Sequence, residues 1–167
     1  MTARFVVRPL AAEHDRAAFS CGVDALDRYF RERVSQDTRR RIATCFVALP
    51  AEDSVVAGYY TLAAASVPMS ELPEADAKRL PRYPVLPAAL IGRLAVDRRY
   101  RAQGLGAALL FDAIMRVALA EAAVFAILVD AKDEDALRFY RRFGFTSFAS
   151  RPMSLFLPVA TAMKLLD

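Results

Sequence analysis

The stretch from Leu94 to Leu110, LAVDRRYRAQGLGAALL, restricts the possible folds more than any other part of the chain. An apolar run gives way to a loop carrying Arg98, Arg99 and Arg101, and two glycines, Gly104 and Gly106, then open a helical run. Residues 89–96 read as a buried strand, Gly104 to about Ala122 as a helix, and residues 124–129 as a second apolar strand. A strand-helix-strand unit of this kind implies parallel strands joined by a right-handed crossover. A helix N-terminus exposes backbone N–H groups and about half a positive charge, so glycines there let a pyrophosphate approach the backbone, with Arg101 and Gln103 as added donors. The same glycines also have a purely structural reading, in which Gly104 turns the chain and Gly106 lets the helix pack on a sheet.

The rest of the chain builds around this unit. With 167 residues, 56% of them apolar and 25% charged, residues 1–167 form one globular domain and wholesale disorder is excluded. Residues 5–7 predict a first strand ended by Pro9. Asp24 is the expected N-cap of a helix in which Leu26, Tyr29, Phe30 and Val34 recur at helical spacing. Residues 44–49 and 55–65 read as an antiparallel pair joined by a turn at residues 50–54. Five of the nine prolines fall between Pro68 and Pro87, which argues against a long helix or central strand there and allows a helical turn near residues 72–80. Asp133, Glu134 and Asp135 load the first turn of a further helix, and Gly144 closes it. Residues 145–148 and 153–157 are short final strands, and residues 163–166 a last extended segment or turn. This order argues for a mixed sheet in one α/β or α+β domain.

Several function classes drop out. Cys21, Cys45 and the lone His14 cannot supply a disulfide framework, a typical four-ligand zinc site or a histidine-dependent triad, and both cysteines read as small buried hydrophobes. No apolar stretch approaches the ~20 residues of a bilayer span and no signal core precedes Arg8, so a soluble, cytosolic protein without membrane contact is expected. No lysine follows the glycines as a Walker A loop requires. Leu109 occupies the last place of a dinucleotide fingerprint, although Asp130 at a strand end keeps that rival open. Of 23 basic residues against 19 acidic, twenty are arginine. Six arginines fall within residues 28–41 and four within residues 93–101. The planar guanidinium fork suits phosphate, so Arg39, Arg40, Arg41 and Arg93, with Arg31 and Arg33 behind them, are candidates for contact with a phosphate-bearing partner.

Two ordered motifs carry a family resemblance. Arg101-Ala-Gln103-Gly104-Leu-Gly106 resembles the Q/R-x-x-G-x-G/A motif of the GNAT superfamily of N-acetyltransferases. Ala136-Leu-Arg-Phe139-Tyr140-Arg-Arg-Phe-Gly144-Phe145 is similar to the A-x-x-F-Y-x-x-x-G-F segment that follows it there. The resemblance implies a single GNAT-like domain: a mixed, mostly antiparallel central sheet with a parallel β-α-β acetyl-CoA-binding unit and flanking helices. It implies that the backbone of Leu94, Ala95 and Val96 pairs with pantetheine. The amides of Gln103, Gly104, Leu105, Gly106 and Ala107, with Arg101, would hold the pyrophosphate, and Tyr140 would serve as general acid. Asp133 would lie near the cofactor, at a place where many members carry Asn.

Further stretches extend the likeness: Cys21-Gly22, Leu26-Asp27-Arg28-Tyr29-Phe30, Gly58-Tyr59-Tyr60-Thr61-Leu62, Pro81-Arg-Tyr-Pro84 and Gly92-Arg93-Leu94-Ala95-Val96-Asp97. In this order they resemble the TacT and AtaT group of toxins. That resemblance implies acetyl transfer to the α-amine of aminoacyl-tRNA, a block of translation, a ribbon-helix-helix antitoxin as partner and a homodimer. The tRNA would then be the phosphate-bearing partner of the arginines.

The residues themselves bear on the acceptor. The strand at residues 89–96 holds no carboxylate to act as a base. An α-amine titrates near ~7.7 to 8.0 and a lysine near ~10.4, so a site without a strong base suits an α-amine. Tyr59 and Tyr60 must face opposite sides of their strand, one into the core and at most one toward the cleft. Phe139 and Phe143 are expected as the core stripe of their helix, with Tyr140 off it. Two other readings stand beside this one: a GNAT enzyme for protein N-termini or small amines, and a non-catalytic acyl-CoA-binding module.

Overall fold

The computed structural model describes residues 5–51 and 55–165. Glu52, Asp53 and Ser54 of the expected turn, and Leu166 of the last segment, lie outside the described residues. In chain order the elements are β1 (Phe5–Pro9), α1 (Asp24–Glu32), α2 (Val34–Arg39), β2 (Thr44–Pro50), β3 (Gly58–Pro68), α3 (Glu74–Ala77) and β4 (Val85–Val96). They continue with α4 (Leu105–Leu119), β5 (Ala126–Asp130), α5 (Glu134–Arg142), β6 (Thr146–Ser147), β7 (Ser154–Pro158) and α6 (Val159–Leu165). The strands form a seven-stranded sheet in the order β1-β2-β3-β4-β5-β7-β6. β4 and β5 run parallel, and the neighbouring pairs β1/β2, β2/β3, β5/β7 and β6/β7 run antiparallel. This is the mixed α/β sheet that the element order predicts.

Two compact units divide the chain. The first takes residues 1–63 and 92–113, the second residues 64–91 and 114–167. In the first unit, β1 keeps Pro9 as its last residue, paired with Phe46. As an edge strand it tolerates a residue with no N–H to donate. The core gathers Phe19, Phe30, Val34, Val47 and Tyr59, with the Phe30 and Tyr59 rings stacked at 4.3 Å. Tyr59 and Tyr60 are both fully buried, so neither opens toward a cleft. Each has an internal acceptor for its hydroxyl, the Leu26 carbonyl for Tyr59 and the Asp112 carboxylate for Tyr60.

The single amphipathic helix expected from Asp24 to Val34 is two. Val23, not Asp24, is the N-cap, and the helix breaks at Arg33, where φ is −122°. The break lets the Asp37 carboxylate accept the Tyr29 hydroxyl at 2.8 Å while Val34 stays buried. α2 ends in a Schellman turn: the Arg41 amide bonds the Thr38 carbonyl, the Ile42 amide bonds the Asp37 carbonyl, and Arg41 has φ 59°. Glycine is the usual occupant of that left-handed position, because a side chain there costs about 1 kcal/mol. Arg41→Gly should therefore raise the unfolding free energy by about 1 kcal/mol, which urea denaturation will read as a higher midpoint at unchanged m.

In the second unit β3 runs on to Pro68, and β4 starts at Val85, earlier than the proline density suggests. Pro87 is accommodated because the ladder with β5 begins only at Ala88, and its carbonyl still accepts from the Phe125 amide. Between the strands lie a 3-10 turn and the one-turn α3, against which Leu72 and Leu86 are buried with Phe148 and Phe156. The chain's last segment is not extended. Val159 to Leu165 forms α6, in keeping with the helix propensity of its Ala, Met, Lys and Leu residues. α5 begins and ends as predicted: the Asp133 carboxylate accepts from the Ala136 amide as N-cap, and Gly144 takes φ 97° beyond the last turn.

Candidate active site

In the first unit the site is built outward from the end of β4. The ladder with β5 covers Ala88 to Ile91, so Leu94, Ala95 and Val96 stand beyond it. At Asp97 the strand turns into a 3-10 turn, Arg98–Tyr100. Asp97 is 1% exposed and accepts from the Ser20 amide at 3.0 Å, from the Arg99 amide at 2.9 Å and from the Arg99 guanidinium at 2.9 and 3.2 Å. Burial alone would raise this carboxyl. The donors from Arg99 and Ser20 outweigh it and hold the group below the usual carboxylate range.

A depressed native value means that the charge of Asp97 stabilises the fold fully above the ordinary value of about 3.9. That contribution is lost as the pH falls through the lower native value. Asp97→Asn leaves Arg99 and two amides short of an anion. It should cost about 2 to 4 kcal/mol near neutrality and flatten the acid limb of a stability-against-pH curve.

The glycine loop follows. Arg101 has φ −64°, Ala102 +62°, Gly104 +76°, and among Arg101 to Leu105 only Ala102 and Gly104 are positive. Alternation of this kind turns successive N–H groups toward one side and makes an anion-binding concavity. α4 begins at once behind it, and its first amides, those of Leu105, Gly106 and Ala107, have no carbonyl within the helix to bond. The donor set fits a diphosphate: amides of residues 103–107 in a turn at a helix N-terminus, with arginine beside it. One Arg101 nitrogen already donates to the Cys21 carbonyl at 2.7 Å.

The loop that carries Cys21 is the part sequence reasoning missed. Asp27, 5% exposed, accepts from the Cys21 amide at 2.8 Å, and Asp97 accepts from the Ser20 amide next to it. Two buried carboxylates thus pin residues 20–21 between α1 and the turn that follows β4. Their only sequence signal is an acid at the end of an apolar strand and another on the apolar face of a helix. Cys21 and Cys45 are buried thiols outside any disulfide, and burial pushes the Cys45 thiol up to about 12.

Among the described residues no carboxylate forms an ion pair with Arg93. Its guanidinium lies over the Tyr29 ring at 3.4 Å, a stacking contact worth about 1 kcal/mol. Burial and the bond to Asp37 raise the Tyr29 phenol far above its ordinary value. Arg93, Arg33 and Arg28 line one cavity of about 320 Å³ with Tyr29, Leu26 and Glu32, where Glu32 pairs with Arg28 at 3.5 Å. Arg31 is occupied by the Phe19 carbonyl at 2.9 Å. Arg39, Arg40 and Arg41 are exposed at the end of α2.

The second unit holds Tyr140. The buried face of α5 is Leu137 and Tyr140, while Phe139 and Phe143 are only half-buried, the reverse of the expected stripe. Tyr140 is 7% exposed and packs edge-on against Phe139 at 5.2 Å and Phe145 at 5.5 Å. Burial, aided by the charge of Asp130, pushes its phenol up to about 12. Asp133 spends its carboxylate on capping α5. Among the described residues no cluster of three or more His, Cys, Asp or Glu side chains could hold a metal ion. Among them, too, no helix is long and apolar enough to cross a membrane.

The sequence profile of the acetyltransferase (GNAT) domain matches residues 42–147, which take in both the Arg101–Leu105 turn and Tyr140. The chain belongs to the GNAT acetyltransferases. Among its relatives is a tRNA-acetylating toxin of Mycobacterium tuberculosis, 36% identical over 95% of this chain and 95% of that protein. The probable toxin TacT of Sinorhizobium fredii is 29% identical over 98% of this chain and 96% of that one. Of the solved GNAT structures, AtaT complexed with acetyl-methionyl-tRNAfMet superposes with a TM-score of 0.90 at 28% identity, covering 98% and 99% of the two chains. AtaTR bound with AcCoA gives 0.84 at 27%, covering 98% and 99%. An AtaT mutant bound to the C-terminus of the antitoxin AtaR gives 0.82 at 26%, covering 98% of each.

Proposed function

We propose that this N-acetyltransferase moves the acetyl group of acetyl-CoA onto the α-amine of an aminoacyl-tRNA and so blocks translation as a toxin. The observation that carries the donor half is the turn of alternating φ at Arg101 to Leu105, set at the N-terminus of α4. The acceptor half is supported by whole-length relatives whose names specify tRNA acetylation. When bound, acetyl-CoA supplies the activated acetyl group. The amides of Gln103 to Ala107 receive its diphosphate, with Arg101 adding a charged donor. Leu94, Ala95 and Val96, past the β5 ladder, offer backbone groups to the pantetheine arm.

No carboxylate stands on β4, so that strand supplies no base. The amine must arrive neutral, which an α-amine does in part at neutral pH. Turnover is therefore tied to the amine's own titration, near ~7.7 to 8.0. Tyr140 holds a proton throughout that range and is the general acid. Asp133, as cap of α5, fixes the helix that carries it. Arg39, Arg40, Arg41 and Arg93 contact the tRNA phosphates. That an arginine occupies the left-handed position at Arg41, where glycine would fit better, supports a role outside stability.

A ribbon-helix-helix antitoxin, a homodimer and a cytoplasmic setting complete the reading. The test is incubation with acetyl-CoA and total charged tRNA, followed by deacylation and identification of the amino acids that carry acetyl. Acetylated amino acids released from tRNA are the expected result. Acetyl found only on added polyamines or peptides would overturn it.

A further inference from the structure

The phosphate turn holds more cationic groups than a diphosphate cradle needs. Gly22 has φ +92°, and a β-carbon placed on it would lie 2.8 Å from Nη2 of Arg101 and 3.6 Å from Nε of Arg98. Two guanidinium groups thus converge on a residue that has no side chain. Main-chain groups of residues 20–21 hold the Arg98 backbone and the Arg101 guanidinium. The Arg98 amide bonds the Ser20 carbonyl at 2.9 Å, and Arg101 donates to the Cys21 carbonyl at 2.7 Å. The third arginine of the turn, Arg99, is taken by Asp97. Among the described residues no carboxylate pairs with Arg98 or Arg101. Like charges held this close repel, and an anion placed against both relieves the repulsion.

We propose that Arg98 is a further donor-site ligand that takes the 3′-phosphate of coenzyme A and makes the enzyme discriminate against the 3′-dephospho form. The inference rests on the acetyl-CoA reading above. Coenzyme A carries phosphate at two separate places. The amides of residues 103–107 suit the diphosphate, whose charges are spread and unbranched. A terminal phosphomonoester carries close to two charges and three acceptor oxygens, which a guanidinium fork matches better than backbone amides do. Arg98 is exposed, so its side chain is free to close on such a group from solvent.

The test is calorimetry on the full chain with acetyl-CoA and with 3′-dephospho-acetyl-CoA, for the wild type and for Arg98→Gln. The wild type should bind acetyl-CoA about tenfold more tightly than the dephospho form, one charge-assisted pair's worth. Arg98→Gln should bring that ratio close to one by weakening acetyl-CoA alone. A ratio unchanged in the variant, or both ligands weakened equally, would overturn the assignment. A parallel titration with tRNA separates the other phosphate source: loss of tRNA affinity with the ligand ratio intact would place an RNA phosphate there instead. Wild type that binds neither coenzyme form would bring down the donor-site reading itself. Melting temperatures of both proteins are expected to agree, because the Arg98 side chain is exposed.

Discussion

Tyr140→Phe should lower kcat for acetyl transfer by about a hundredfold or more, with the Kd for acetyl-CoA nearly unchanged. The substitution removes one hydroxyl from a ring already held by Phe139 and Phe145, so the packing survives. The phenol is not tuned as a ready acid in the free protein. At about 12 it lies some way above an ordinary thiol near ~8.5, and full transfer between the two would be uphill by about 5 kcal/mol. The charge of Asp130 raises it further, and no lowering by an arginine offsets that rise. As the proposed acid, Tyr140 would therefore work by donating a hydrogen bond to the sulfur as negative charge grows there, with the proton following only when that charge is nearly complete.

A pH profile checks this. Its lower limb should follow the amine, and no falling limb from Tyr140 should appear until the pH nears 12. For the fold, a phenol raised on folding contributes stability that is whole below its ordinary value of about 10 and is lost as the pH climbs to about 12. A kcat at saturating substrate equal to that of wild type would reject the assignment.

Neutralising Arg39, Arg40 and Arg41 together should weaken tRNA binding roughly a hundredfold near physiological salt. The three stand exposed in sequence at a turn, so each can reach a different phosphate. Each arginine–phosphate pair removed should also take about 0.7 to 0.9 from the slope of log affinity against log salt concentration, or roughly two to three in all. Filter binding at several salt concentrations measures both numbers. A weaker affinity with an unchanged slope would mean that the arginines shape the surface without meeting phosphate. Arg41→Gly isolates one such pair, with a more stable fold and a weaker grip on RNA expected together.

The legible part of the fold is local. The strand-loop-helix at Leu94 to Leu110 and the acid-capped α5 follow from residue order alone, and both lie close to their expected bounds. The illegible part depends on partners distant in the chain. Nothing near Arg33 announces a helix break, because its cause is Tyr29 reaching Asp37 while Val34 stays in the core. Pro87 argues against a strand until the ladder is seen to begin one residue later. β7 inserts between β5 and β6, an order that pairing by sequence neighbourhood does not produce. The Ser20 amide meets Asp97 across 77 positions, so the loop before α1 cannot be tied to the phosphate turn from the sequence. A motif is enough to find Tyr140 but not its burial, because aromatic spacing alone does not say which ring turns inward.

The discontinuity of the first unit has a consequence for synthesis. Its strands β1 and β2 leave the ribosome early, but β4's end and the start of α4, which complete it, come from residues 92–113. At about 5 to 20 residues per second, several seconds separate the two parts during translation. Through that interval the nascent chain has its arginine-bearing helices and no donor turn. A GNAT chain built this way gains its glycine turn only once residues 92–113 have been made.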